Sequence, residues 1–193
     1  MISVGIDPGG TSGSICFIFE QEGRPDVIEF FYFSTKEGYK CPKTGKRKYR
    51  KILSTPSQIR DFVNRIARFK SIAKCSIKII LEEVNAMPTF RKNAQGETES
   101  TNMGSTSAFE FGGNYRSIIQ CIADHYMEDF LETKRPAHWQ KEMDLKKTHK
   151  GMTKTEHKQL RRAFITPLYP QVKVLNDNID SLILAHMART KNQ

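Results

Sequence analysis

Acidic residues stand where regular elements of this chain are expected to begin or end: Asp7, the adjacent pair Glu82 and Glu83, and the spaced pair Asp177 and Asp180. A carboxylate at such a place is held more rigidly than one on a loop. Four hard oxygen donors (Asp7, Glu82 or Glu83, Asp177 and Asp180) suit Mg²⁺ or Mn²⁺ better than zinc. Gathered together they would repel one another. Two divalent ions roughly 3.5–4 Å apart relieve that repulsion and serve phosphodiester hydrolysis. One ion orients and deprotonates the attacking water, and the other stabilises charge on the leaving 3′ oxygen. Each acid also has an ordinary explanation. Asp7 can hydrogen-bond the backbone of its own turn, and Asp177 and Asp180 can favour a helix N-terminus. Convergence in space decides between the two.

The elements that must position these acids follow from periodicity and turn chemistry. Residues 2–19 read as a hairpin: two apolar runs of strand length separated by Pro8, Gly9, Gly10 and Gly13, with Asp7 where the first strand meets the turn. Residues 26–35, rich in Val, Ile, Phe and Tyr, read as a third strand. Thr55-Pro56-Ser57-Gln58 has the form of a capping box with proline at the first helical position. It opens a helix whose Ile59, Phe62, Val63, Ile66 and Phe69 share one face. Residues 76–84 form a strand ending in Glu82 and Glu83, which alternation sends to opposite faces. Residues 105–127 read as a helix, broken or closely packed at Gly112-Gly113. A short fifth strand follows at 130–133, then a helical turn at 136–141 and a helix over 153–165. The helix expected over 176–189 carries Asp177 and Asp180 at i and i+3 in its first turn, on one face.

Charge supplies the other clue. Lys and Arg number 31 against 21 Asp and Glu, a net charge of +10, which points to a polyanionic partner such as nucleic acid. The surplus is uneven. Residues 36–53 form a basic insertion with Lys46, Arg47, Lys48, Arg50 and Lys51 close together and Tyr39 and Tyr49 interleaved, a composition suited to phosphate contact and stacking. It reads as a backbone-contacting loop. A second basic stretch over 146–162 includes Lys158 and Arg161. The 193 residues favour one domain, with a long polar loop at about 85–103 expected to be functional or mobile. No apolar run approaches a membrane span. The start, Met1-Ile2-Ser3-Val4, lacks the pattern of a signal peptide. Cys16, Cys41, Cys75 and Cys121 have no zinc spacing, so reduced thiols in a cytoplasmic setting are expected.

With these residues in place, the chain resembles the RuvC-type Holliday junction resolvases, particularly their phage-encoded branch. Val4-Gly5-Ile6-Asp7-Pro8-Gly9 resembles the family's first-strand motif, and Ile80-Leu81-Glu82-Glu83-Val84 its fourth-strand motif, in which the first acid is the ligand. Asp177-x-x-Asp180 followed by Leu182 and Ala185-His186 resembles its final-helix motif. Trp139-Gln140-Lys141 and the region of Lys154-Thr155-Glu156 resemble the phage branch. The resemblance implies an α/β, ribonuclease H-like fold: a five-stranded mixed sheet of order 3-2-1-4-5 flanked by helices on both faces. It implies two Mg²⁺ ions, with Mn²⁺ as a substitute, held by Asp7, Glu82, Asp177 and Asp180. It also implies basic residues, Lys141 and Lys154, near the scissile phosphate. The implied activity is that of a homodimer resolving four-way DNA junctions by paired nicks, in the host cytoplasm if phage-encoded. Where cellular members carry an aromatic that stacks on junction bases, this chain has Asn85; Phe90 is the residue that would substitute.

Three other readings compete. A nuclease of the same fold can act on flaps, forks or RNA–DNA hybrids. A basic nucleic-acid-binding module would use its acids only for caps and solubility, and metal-dependent cleavage separates it from an enzyme. The stretch Asp7-Pro8-Gly9-Gly10-Thr11-Ser12-Gly13 also resembles the first phosphate loop of sugar kinases and actin-like ATPases. Those proteins need a second such domain.

Overall fold

The structure, a computed structural model, describes residues 1–9, 13–83, 89–92, 98–101, 105–146 and 151–191. At 40, 51, 89–92, 98–101 and 105–111 it describes the backbone alone. Strands β1 (Ile2–Asp7), β2 (Ser14–Phe19) and β3 (Val27–Tyr32) make an antiparallel meander of β-branched and aromatic residues. The third strand is shorter than expected because the chain leaves the sheet at buried Phe33. The Phe33 N–H donates to the Gly13 carbonyl at 3.1 Å, and its carbonyl accepts from the Ser54 N–H at 2.9 Å. Between these two bonds the basic segment is no loop. It is a separate two-stranded antiparallel ribbon, β4 (Ser34–Lys40) and β5 (Arg47–Leu53).

Helix α1 (Pro56–Ala73) starts with the expected capping box: the Gln58 N–H donates to Thr55 Oγ1 and the Thr55 N–H to Gln58 Oε1. It returns the chain to β6 (Ile77–Glu82), which runs parallel beside β1. Within the stretch expected to be a loop, β7 (Thr89–Lys92) and β8 (Thr98–Thr101) pair antiparallel. Helix α2 (Ser105–Ala123) is continuous through Gly112 and Gly113, where a break or a close neighbour was expected. A Cβ at either position would meet nothing within 4 Å. Strand β9 (Leu131–Lys134), one residue later than expected, lies parallel to β6. The short helix α3 (Pro136–Glu142), then α4 (Lys154–Ile165) and α5 (Ile179–Thr190), complete the fold.

The sheet order is β3-β2-β1-β6-β9, with β2 alone antiparallel to its neighbours and the rest of the order set by parallel crossovers. Counting sheet strands only, this is the 3-2-1-4-5 order of a ribonuclease H-like fold. Alternation splits the core between its two faces. Ile2, Val4, Ile6, Ile77, Ile79 and Leu81 bury against α1 and α2. Cys16, Ile18 and Ile80 bury against α5, together with Trp139 of α3 and Ile165 of α4. Each such side chain, fully withdrawn from water, stabilises the fold by about 1.5–3 kcal/mol. Among the described residues no helix is long and apolar enough to cross a membrane, and the four cysteines are free.

Candidate active site

Residue parity decides which acids meet. On β1 the even positions 2, 4 and 6 face α1 and α2, so Asp7 projects toward α5. On β6 the odd positions 77, 79 and 81 face α1 and α2, so Ile80 and Glu82 also project toward α5. The register pairs Ile6 with Leu81 across parallel strands, which puts Asp7 and Glu82 side by side one residue further on. Glu83 turns the other way and pairs with Arg135 at 3.2 Å.

Helix α5 brings the third acid. It lies so close to β1 that a Cβ on Gly5 would fall 2.0 Å from the Ser181 carbonyl oxygen and 2.2 Å from the Ala185 nitrogen. Only glycine leaves room for that approach. Asn178, the residue before the helix, accepts from the Leu175 N–H at 2.7 Å and donates to the Tyr32 hydroxyl at 3.1 Å. Buried Ser14 and Ser181 share a hydrogen bond of 2.7 Å between β2 and α5. These contacts fix the first turn of α5, and with it Asp180, over the end of β1.

Each acid is oriented by a neighbour. Asp7 Oδ1 accepts from the Gly9 N–H at 3.0 Å. Glu82 Oε2 accepts from the indole N–H of fully buried Trp139 at 2.8 Å. Asp180 Oδ1 accepts from the guanidinium of Arg161, which is buried on α4 and forms an ion pair with it. Burial, then the charge of Asp180, pushes the Asp7 carboxyl up to about 7 against the pull of Gly9, Arg161 and Lys158. Burial, then Asp7 and Asp180, pushes Glu82 up to about 8 despite Trp139 and Arg161. Burial and the mutual charge of the three acids together therefore outweigh the nearby hydrogen bonds and cations at Asp7 and Glu82.

The remaining expected residues lie as follows. Asp177 precedes the helix instead of sharing its first turn with Asp180. Its backbone carbonyl accepts from Ser14 Oγ at 2.7 Å, and its charge bears on Tyr32. It is not among the groups that weigh most on Asp7 or Glu82. Lys141 and Lys154 are exposed, on α3 and at the first position of α4. Lys158 reaches the Asn176 carbonyl at 3.4 Å and is near enough for its charge to act on Asp7. Arg161 sits within the carboxylate cluster, not on an open surface. Lys46, Arg47 and Lys48 are exposed toward the ribbon's far end and Arg50 at its middle, while the Lys51 side chain lies outside the described residues. Phe90 falls on β7, and its side chain likewise lies outside them.

The donor chemistry fits a hard divalent cation: the half-buried carboxylates of Asp7 and Glu82, with pKa values raised, favour a cation over a proton as pH rises. Among the described residues, no group of three His, Cys, Asp or Glu side chains is arranged to hold a metal ion. Asp180 is engaged by Arg161 instead.

Among solved structures the chain is similar to Thermus thermophilus RuvC, with a TM-score of 0.49 and 12% identity over 100% of this chain and 96% of that one. It is also similar to T. thermophilus RuvC in complex with Holliday junction substrate, with a TM-score of 0.48, 10% identity and the same coverage. No family model matches the chain, and no curated protein does.

Two site residues escaped the sequence reading in their roles. Trp139 holds Glu82, and its signal was a lone tryptophan in an otherwise polar helix. Arg161 holds Asp180, but in the sequence it is one cation of a basic run. Nothing local marks it as buried.

Proposed function

We propose that the chain is a Mg²⁺-dependent nuclease that resolves branched DNA, chiefly four-way junctions, as a homodimer making paired nicks. The observation that carries this reading is the convergence of Asp7, Glu82 and Asp180 from β1, β6 and α5, with two of the three carboxyls pushed toward neutral pH by burial and mutual repulsion. A site of this kind is unfavourable without a cation. The +10 net charge and the basic ribbon suit a polyanionic substrate.

Asp7, Glu82 and Asp180 would hold the cations, with Asp177 as an outer member. Held there, cations would supply activation of water and charge stabilisation at the leaving 3′ oxygen, chemistry that would leave 5′-phosphate and 3′-hydroxyl ends. The chain's own groups prepare this. The Gly9 N–H and the Trp139 indole orient Asp7 and Glu82, each through one carboxylate oxygen. Arg161 pairs with Asp180, so Asp180 would have to exchange that ion pair for a cation in order to act as a ligand. Lys158 adds positive charge beside Asp7, and Lys141 and Lys154 are the exposed cations that would meet the scissile phosphate.

The test is incubation of the protein with a synthetic four-way junction, a linear duplex and a flap, with and without Mg²⁺. Cleavage of the junction in Mg²⁺ alone, in preference to the other two, supports the reading. Binding without metal-dependent cleavage would falsify it in favour of a non-catalytic module. Equal cutting of the flap would shift the substrate class within the same fold.

A further inference from the structure

The ribbon β4–β5 stands off the core. Its described residues between Thr35 and Leu53 are exposed apart from Cys41 in the turn, and a lone two-stranded hairpin is marginal by itself. Cross-strand partners in an antiparallel pair lie on the same face, and successive rungs alternate. One face therefore carries the rungs Lys36–Lys51, Gly38–Tyr49 and Lys40–Arg47: four cationic positions and no acidic one. The other carries Thr35–Ile52, Glu37–Arg50 and Tyr39–Lys48.

The two faces differ in kind. On the second, Arg50 Nε donates to Glu37 Oε2 at 2.7 Å, an internal ion pair that consumes its cation. On the first, no rung carries an acidic residue, so that face supplies no carboxylate to Lys36 or Arg47. Gly38 between them makes a hollow. A Cβ there would lie 3.1 Å from Arg47 Nε and 3.3 Å from Tyr49 Cε1, so both side chains fold into the space that glycine leaves. The Arg47 guanidinium lies 5.7 Å from the centre of the Tyr49 ring, which is 63% exposed. The ribbon's root is fixed as well. Phe33 bonds to Gly13 of the turn that follows Asp7, so the ribbon leaves the sheet at the same end as the carboxylates. From there, seven-residue strands reach roughly 23 Å at about 3.3 Å per residue.

We infer that the face bearing Lys36, Arg47 and Tyr49 is a binding surface for the sugar–phosphate backbone of a DNA arm entering the site, and that the Glu37–Arg50 face is not. The inference rests on the nuclease reading for the identity of the polyanion. Phosphates would supply the anions that this face lacks, and the Arg47–Tyr49 stack pre-orients one guanidinium for that contact.

The test compares two double variants of the full-length protein with equal change in charge: Lys36→Gln with Arg47→Gln, and Lys48→Gln with Arg50→Gln. Binding to a fluorescent four-way junction is followed by anisotropy over a range of salt concentrations, without divalent metal so that nothing is cut. The first double is expected to weaken binding about tenfold and to reduce the salt slope by roughly 1.8, about 0.9 for each lost phosphate contact. The second is expected to weaken it less than about threefold, although it leaves Glu37 unpaired. Gly38→Val keeps the net charge and suits a strand, yet displaces the stack. It should weaken binding about threefold, with an unchanged circular dichroism spectrum, on the scale of a lost stacking or cation contact. Equal losses in the two doubles, or wild-type binding by Gly38→Val, overturn the face assignment. Wild-type cleavage in Mg²⁺, measured alongside, separates the two failures. A protein that cuts but shows no difference between faces loses only this inference, whereas one that neither binds nor cuts loses the nuclease reading and this inference with it.

Discussion

The carboxylate end of the sheet and the ribbon that leaves it gather charge in opposite ways. At the site, three acids from separate elements lie partly buried together, and each is oriented by one named donor: Gly9, Trp139 or Arg161. On the ribbon, cations are spread over an exposed two-stranded surface, most of them in open solvent. In low dielectric a single charge weighs heavily, and in water each weighs little and only the sum matters. Under the proposed function, chemistry at the site is what one residue can abolish, and affinity at the ribbon is what residues share.

Breaking the site should therefore give the largest effects. Asp7→Asn or Glu82→Gln should slow junction cleavage by about a thousandfold, the scale of removing a charge-stabilising group from a preorganised site, while junction binding stays within about threefold. Asp180→Asn should cost less than either, Asp177→Asn less again, and Glu83→Gln almost nothing, since Glu83 faces Arg135. Gel-based cleavage rates rank all five. A wild-type rate for Asp7→Asn in Mg²⁺ would end the site assignment.

Next is the ion pair at the centre of the contrast. Arg161→Met leaves Asp180 as a mostly buried charge without its partner, which should destabilise the metal-free protein by about 3 kcal/mol. Mg²⁺ should restore part of that, raising the melting temperature of the variant more than that of wild type. Gly5→Ala probes the packing beneath the site. Its methyl cannot fit against the α5 backbone, and overpacking of this kind costs about 1–3 kcal/mol with loss of cleavage.

The acidity of the site predicts a pH dependence of definite sign. Asp7 and Glu82 hold their protons to about 7 and about 8 in the folded protein, whereas the unfolded chain releases them near 4. Their contribution is fully present below the unfolded values and is lost as pH rises through the folded ones. Metal-free protein should melt at progressively lower temperature from about pH 5 to about pH 8. The Asp7→Asn, Glu82→Gln double variant should show a flatter profile, and Mg²⁺ should offset the loss in wild type. The smallest effects belong to the ribbon, where Lys36→Gln alone should weaken junction binding about threefold and lower the salt slope by roughly 0.9.

Much of the scaffold was legible beforehand. The hairpin around Asp7, the capping box at Thr55 and the strand ending in Glu82 appear where expected, because turn residues, caps and period-two patterns act over a few neighbours, and the sheet order is the one the resemblance implied. Local pattern failed where distant partners decide. The basic segment carries strand-compatible residues but no apolar alternation, so its pairing into β4 and β5 had no hydrophobic signature. Gly112-Gly113 looked like a packing contact, and the space beside it is open. Asp177 looked like a helix partner of Asp180, but the Asn178 contacts to Leu175 and Tyr32 delay the helix start until after it.

The sequence by itself determined which residue types are present, their alternation along each strand, and the fact that Glu82 and Glu83 must face opposite ways. Only the tertiary structure decided that Glu82, not Glu83, shares a face with Asp7, that Gly5 admits α5 against β1, and that Arg161 and Trp139 hold two of the three acids. The reason is physical. Alternation is a property of one strand, whereas which side of that strand meets which helix depends on burial summed over the whole core.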